Sequence, residues 1–372
     1  MSDRPLFELL EETFHSQGHA AGFEQLIAKL LEAKNYPLLF EARLMQKRLA
    51  MELPLIFSGN ISDLPVEQQN AYRAALVDAA RETGQRFLAD GDVVGAWPYF
   101  RAINEPAPIR EAIERVEPGE GIDAVLAIAL QEGVNPRRGL ELLIAYRGIC
   151  PGIDLVQICP DRAQSIEFLQ ILIPALYHDL AKNLKKAIAE VEGIAPESGQ
   201  VAALVAGRDW LFTGGLFYIE NSHLASLVQA SRLLSDRETL QLAWELAEYA
   251  LHLDPMFHVP GEAPFDHLHL DHSYYLGALL GKDVDAAVVH FRKKLAASIP
   301  GAAEALIQLL SLLGREEEAI QISIDHLGGQ ASGESPSAIQ LCHRAGDYGR
   351  LRALARAQGD LLAFAAGIIA EG

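Results

Sequence analysis

The sequence predicts an all-α protein built from stacked helical hairpins, and three observations lead there. Apolar residues recur at helical spacing along nearly the whole chain, runs of alternating apolar and β-branched residues are missing, and small residues, aromatics and prolines recur at intervals that suit antiparallel helix pairs. The clearest unit is RETGQRFLADGDVVGAWPYFRAINEPAP, residues 81 to 108. Small Gly84 and Ala96 stand where two helices would cross, Phe87 and Phe100 supply aromatic filling, and Pro108 is expected to end the second helix. Half of the 372 residues are hydrophobic and 22% are charged, which is enough to fold the whole chain when each repeat needs only its neighbours to bury its apolar face.

In chain order, the opening third gives two or three helices through LIAKLLEAKNYPLLFEARLMQKRLAMELPLI, closed by Pro54 and a turn-rich stretch, FSGNISDLP, from Phe57 to Pro65. A long helical region follows from Val66. Residues 148 to 160, GICPGIDLVQICP, and 191 to 200, VEGIAPESGQ, interrupt the pattern. An irregular helical-hairpin region is therefore expected over residues 1–195 and regular repeats over 196–372, as one continuous solenoid. Within the second part, LQLAWELAEYALHLDP, residues 240 to 255, reads as the second helix of a hairpin through Ala243, Ala250, Leu251 and the closing Asp254-Pro255. Tyr274 to Pro300 carries Ala287 and Phe291 at the spacing of Ala96 and Phe100. Pro300 to Leu327 keeps the Gly314-Arg315 turn and Ala319 in register, without an aromatic plug. The polar GGQASGESPS, residues 328 to 337, is the most linker-like stretch, and the helical pattern of Ala338 to Ala370 makes it a loop before a capping pair.

Gly84, Phe87, Ala96, Phe100 and Pro108, with their echoes downstream, resemble the tetratricopeptide repeat over roughly 40% of the chain. The large aromatic that the family places ahead of its first leucine is not recognisable in most units. The resemblance implies a right-handed superhelix whose inner groove, lined by the first helices of the hairpins, holds an extended peptide or a partner helix. Tyr274 and Tyr275, from the hairpin closed by Pro300, are the candidate groove residues. On this reading the chain is a protein-interaction scaffold or adaptor that needs no cofactor.

Charge narrows the partners. Lys plus Arg number 31 against 50 Asp plus Glu, a net charge of −19 that opposes the field of nucleic acid and of an anionic membrane surface. The basic runs Lys185-Lys186 and Arg292-Lys293-Lys294 fall in helix interiors or last turns, where solvation and the helix dipole account for them. Cys150, Cys159 and Cys342 are odd in number and lack C-x-x-C spacing, so neither a disulfide framework nor a cysteine zinc site is indicated and a reducing compartment is expected. The first residues, MSDRPLFELLEETFHSQGH, hold no continuous apolar core of signal-peptide length, and no apolar run reaches ~18 residues. A cytoplasmic location is the expectation.

The rival reading is an enzyme. The segment LHLDPMFHVPGEAPFDHLHLDHSYY, residues 251 to 275, holds five of the twelve histidines: His252, His258, His267, His269 and His272. A helix from Asp266 would put His267 and Asp271 on one face, whereas an extended chain would align His267, His269 and Asp271. Together with His272 these are the candidate ligands of a divalent metal, or the members of an acid/base pocket between hairpins. The structural alternative has Pro260-Gly261 and Pro264 in an inter-helix loop, Asp266 or Asp271 capping the next helix, and the imidazoles facing backbone carbonyls or solvent. A second segment, DWLFTGGLFYIENSHLASLVQASRLL, sets Trp210, Phe212, Phe217 and Tyr218 around Gly214-Gly215. There Glu220 is a candidate base, and His223 would lie in the first turn of a helix capped by Ser222, where the dipole disfavours its protonation. Tyr177, His178 and Asp179 form a third candidate that reads as helix surface. The chain has no phosphate-binding loop motif, no dinucleotide glycine fingerprint and no G-x-S-x-G elbow.

Overall fold

A computed structural model of the chain describes residues 4–56 and 64–371. Phe57 to Asp63, most of the predicted turn-rich stretch, lie outside them. Among the described residues there are nineteen α-helices and no strand, the one piece of β-pairing being an isolated bridge between Ser332 and Ser335. The chain divides into two compact units, Met1–Gly148 and Ile149–Gly372. The boundary therefore falls at the start of the first predicted break, where Gly148 ends a helix at φ +81, and the expected division after residue 195 lies inside the second unit.

The first unit contains α1 (Arg4–Glu32), bent at Gly18, then α2 (Tyr36–Ala50), α3 (Val66–Ala89), α4 (Val93–Ala102), α5 (Ala107–Glu114), the short α6 (Asp123–Leu126) and α7 (Pro136–Arg147). Helices α1 to α5 pack in chain order, and α7 closes on α5 and α6. The predicted hairpin is α3 with α4. Asp92 caps α4 by accepting from the Gly95 N–H at 2.7 Å, and Ala96 and Phe100 are fully buried. Gly84 makes the close crossing possible, because a Cβ there would come within 2.6 Å of the Phe100 ring. Pro108 has a different place from the one predicted: α4 already ends at Ala102, and Pro108 sits in the first turn of α5, where its missing N–H costs no intrahelical bond.

The second unit runs through α8 (Cys150–Ile158), α9 (Arg162–Glu192), α10 (Val201–Val205), α11 (Asn221–Ala230), α12 (Arg237–Leu251), α13 (Leu268–Leu279), α14 (Val284–Ala296), α15 (Ala302–Leu312), α16 (Glu316–Leu327), α17 (Ala338–Ala345), α18 (Tyr348–Gln358) and α19 (Leu361–Glu371). The stretch read as a break at residues 148–160 thus contains α8, since Pro151 stands in a helical first turn rather than ending one. The second break is observed: α9 stops at Gly193 in the left-handed conformation. Helix α9 buries Leu169, Leu172, Ile173, Leu176, Leu180 and Leu184 along one stripe and packs on α8, α10, α11 and α12. From α11 onward each helix packs on the next, up to α18 on α19. The hairpins α13–α14 and α15–α16 match the predicted units, with Ala287, Phe291 and Ala319 fully buried. Among the described residues no helix is long and apolar enough to cross a membrane.

Candidate functional site

The histidine-rich segment enters α13, and its side chains part company there. Asp271, completely buried, is the hub of one set. Its Oδ2 accepts from the backbone N–H of His267, the N-cap residue of α13, at 2.9 Å and from Lys294 Nζ at 2.8 Å, and its Oδ1 accepts from His290 Nε2 at 2.6 Å. His290 and Lys294 stand four residues apart on α14 and so reach the same carboxylate. Lys294 also bridges to Asp266 at 2.5 Å, and that ammonium holds the Asp266 carboxyl below the usual range. Tyr274 covers the set by stacking on the His290 ring, 4.4 Å between centroids. The helix-surface reading of the Arg292-Lys293-Lys294 run fails at Lys294, which is buried between two carboxylates.

His267 and Asp271 do meet, but through the His267 backbone, while the exposed His267 ring leans toward Asp266. His269 is buried and neither ring nitrogen has a partner among the described residues; burial lowers its pKa to about 4, and the His258 ring stands 6.4 Å away. His272 is completely buried as well, with Nδ1 2.6 Å from the Leu268 carbonyl oxygen. That carbonyl can only accept, so Nδ1 carries the proton and the buried Nε2 keeps a bare lone pair, which meets no donor among the described residues. Burial lowers the His272 pKa to about 4, so the ring is neutral at neutral pH. His267, His269, Asp271 and His272 consequently do not surround one point. Among the described residues no group of three or more His, Cys, Asp or Glu side chains stands where it could hold a metal ion.

The other predicted residues are dispersed. Tyr275 is completely buried against Phe265 and Phe291, which makes it core rather than groove lining. Glu220, not Ser222, is the N-cap residue of α11; Glu220 is exposed, Ser222 lies one residue inside the helix, and His223 is half-buried. The Tyr177 hydroxyl is no surface group, since it donates to Glu245 and accepts from the Val201 N–H at 2.9 Å.

The largest concavity around this segment is one that the sequence did not announce. A cleft of about 580 Å³ is walled by α8, by α11 and the turn after it, by the Pro264-Phe265 loop, by the start of α15 and by residues 334–335. Gly301, at φ +74, lets α15 approach that loop, because a Cβ there would lie 2.9 Å from Pro264. Phe265 joins the His272, Tyr275 and Phe291 rings beneath the cleft, and Arg232 lies over its face at 4.4 Å. Among the described residues Arg232 makes no ion pair; its guanidinium gives one long hydrogen bond, Nε to the Gln229 carbonyl at 3.5 Å. The facing wall is acidic, with Glu304 accepting from Ser332 at 2.9 Å and Glu334 from Arg162 at 2.7 Å and from Gln308 at 3.3 Å. Arginines that pair with acids elsewhere gave the sequence no reason to single out Arg232. The one available signal was its place just after a helix whose apolar pattern stops at Ala230.

No protein-family model, no curated protein and no solved structure matches the chain.

Proposed function

We propose that this chain is a helical-repeat interaction module of the tetratricopeptide type, working in the cytoplasm, whose second unit holds a peptide segment of a partner protein in the cleft beside Arg232. The observation that carries this reading is the cleft itself. At about 580 Å³ it falls within the usual ligand-pocket range of about 300–1,000 Å³, and helix-start, loop and turn residues from five parts of the unit converge on it. It mixes an aromatic face, an arginine without an acid partner and an acidic wall, the kind of surface on which protein partners find anchors. The chain's net charge of −19 argues against nucleic acid and anionic membranes as that partner. Screening the purified chain against an unbiased array of soluble peptides tests the reading. Micromolar binders that lose affinity when Glu304 or Arg232 is replaced are the expected result, and binders indifferent to both residues would move the site elsewhere.

The second reading, an acid/base enzyme, draws on one observation, the buried, neutral His272, whose Nδ1 is committed to Leu268 and whose residue lines a small chamber of about 80 Å³ next to the cleft. In this tautomer Nε2 is the ring's proton-accepting atom. No nucleophile or second acid is hydrogen-bonded to it, and on that ground the binding module stands first.

A further inference from the structure

Away from the cleft, α19 carries an outward stripe with no polar residue in it. Asp360 caps this helix by accepting from the Ala363 N–H at 2.9 Å, and the helix packs on α18 through Gly367, its one buried residue. A Cβ at that position would come within 2.8 Å of the Leu351 side chain, so the absence of a side chain sets how closely α19 sits. The face turned away from Gly367 meets solvent: Leu361 is 81% exposed, Leu362 84%, Ile368 50% and Ile369 79%, and Ala365 is exposed between them. These five positions follow i, i+1, i+4, i+7 and i+8, one continuous band along a helix. A helix whose neighbour on that side is water puts charge there. The only charged residue of α19 is Glu371, and Arg352 of α18 holds it.

We propose that this stripe is a self-association surface, on which a second copy of the chain packs its own α19 antiparallel across a two-fold axis at Ala365. The pattern of the stripe selects that occupant. Leu361 and Leu362 stand four and three residues before Ala365, and Ile368 and Ile369 stand three and four residues after it, so the band reads alike in both directions. An antiparallel pair centred on Ala365 sets the leucines of each copy against the isoleucines of the other, with small side chains at the crossing. Such self-complementarity is what an isologous contact requires. Charge agrees with the same occupant. A net charge of −19 makes copies repel one another, yet residues 338–371 hold four arginines against three carboxylates, and a nearly neutral region is where two copies meet with least of that repulsion. Area agrees as well: covering the four aliphatic side chains and the alanines among them removes roughly 600 Å² per copy, about 1,200 Å² for the pair, the lower end of a specific interface. A membrane surface fits less well, because helices that lie in it line their polar face with Lys and Arg, and α19 contains neither.

Sedimentation velocity of the full chain, followed from micromolar to submillimolar concentration, tests the proposal. The parent should pass from the mass of one chain to that of two as concentration rises. Leu362→Gln together with Ile369→Gln, both at exposed positions, should weaken the pairing about tenfold or more and leave the circular dichroism unchanged. A residue on a two-fold axis meets its own copy, so Ala365→Cys, in a chain carrying Cys150→Ser and Cys159→Ser, should be joined to a second chain by a short bis-maleimide. A parent that stays monomeric over the whole range overturns the proposal; if that monomer also sediments with vesicles of neutral phosphatidylcholine, the stripe serves lipid instead. A dimer that survives the double substitution, or one that is not joined through position 365, overturns it too, because the contact then lies on another surface.

Discussion

The hairpins α3–α4 and α13–α14 share one spacing and bury quite different things. In each, an alanine and a phenylalanine four residues later sit fully buried on the second helix: Ala96 and Phe100 in one, Ala287 and Phe291 in the other. The first hairpin fills its crossing with the Phe100 ring against Gly84, and the crossing depends on shape alone. The second sets the Phe291 ring among Phe265, Tyr275 and His290 and carries a buried carboxylate, an ammonium and an imidazole beside it. The spacing therefore specifies a frame, while chemistry enters at the positions between the spaced residues. A frame of this kind can host a site without altering its own pattern.

Breaking each hairpin at its centre should show the difference most clearly. Phe100→Ala should lower stability by about 3–5 kcal/mol through lost transfer energy and a cavity. Asp271→Leu should cost about the same for another reason, because Lys294 would stay buried with the distant half of its pairing gone. Adding Lys294→Met to Asp271→Leu should recover most of the loss, and urea denaturation of the three variants checks both numbers; a second substitution that deepened the loss would mean that the pair stabilises beyond cancelling its own burial. The next effect is in pH. His269 and His272 have folded pKa values near 4 against an ordinary 6.5, so the unfolded chain binds more protons between those limits. Their contribution is complete above about pH 6.5 and is lost as pH falls toward 4, by about 3 kcal/mol per ring at most. His269→Leu should flatten that part of the stability profile, and an unchanged slope would show that the ring is solvated.

Smaller changes sharpen the contrast. Gly84→Ala should cost about 1–3 kcal/mol, since the added methyl overlaps the Phe100 ring and the ring has little room to withdraw; thermal unfolding reads it. Arg232→Gln should lower stability by only about 0.5–1 kcal/mol, the worth of its contact with the Phe265 face, because among the described residues the guanidinium has no ion pair to lose. A larger drop would make Arg232 part of the frame and would remove the main support for a ligand there.

The frame was legible because its signals are local. Gly84, Ala96 and Phe100 lie within one helical pair, and Ala287, Phe291 and Ala319 repeat the same short-range pattern. Pro108 and Pro151 misled for a local reason too: a proline between helical patterns closes one helix or opens the next, and both prolines open one. The site was half legible. The histidine cluster drew attention to the right segment, but Asp271's partners lie on the following helix at His290 and Lys294, and nothing at the level of spacing distinguishes an inward lysine from the solvated Lys293 beside it. The cleft was not legible at all. Its walls come from residues as far apart as Gln157 and Ser335, and only the packing of α8, α11 and α15 brings them to one place.

Repeat arrays grow by copying, and a copied unit can slide into the place of its neighbour if their contact surfaces are alike. The Asp271 carboxylate sets a condition on such exchange. It is matched by a second helix that carries an imidazole and an ammonium four residues apart, as α14 does at His290 and Lys294, whereas α16 has Ile322 and His326 at the corresponding distances from its own alanine, Ala319, and so lacks the ammonium. Shuffling these helices would strand a charge, so the Asp271 contacts tie α13 to α14 as one unit. Recombined arrays that keep the two helices together should fold, and those that separate them should not.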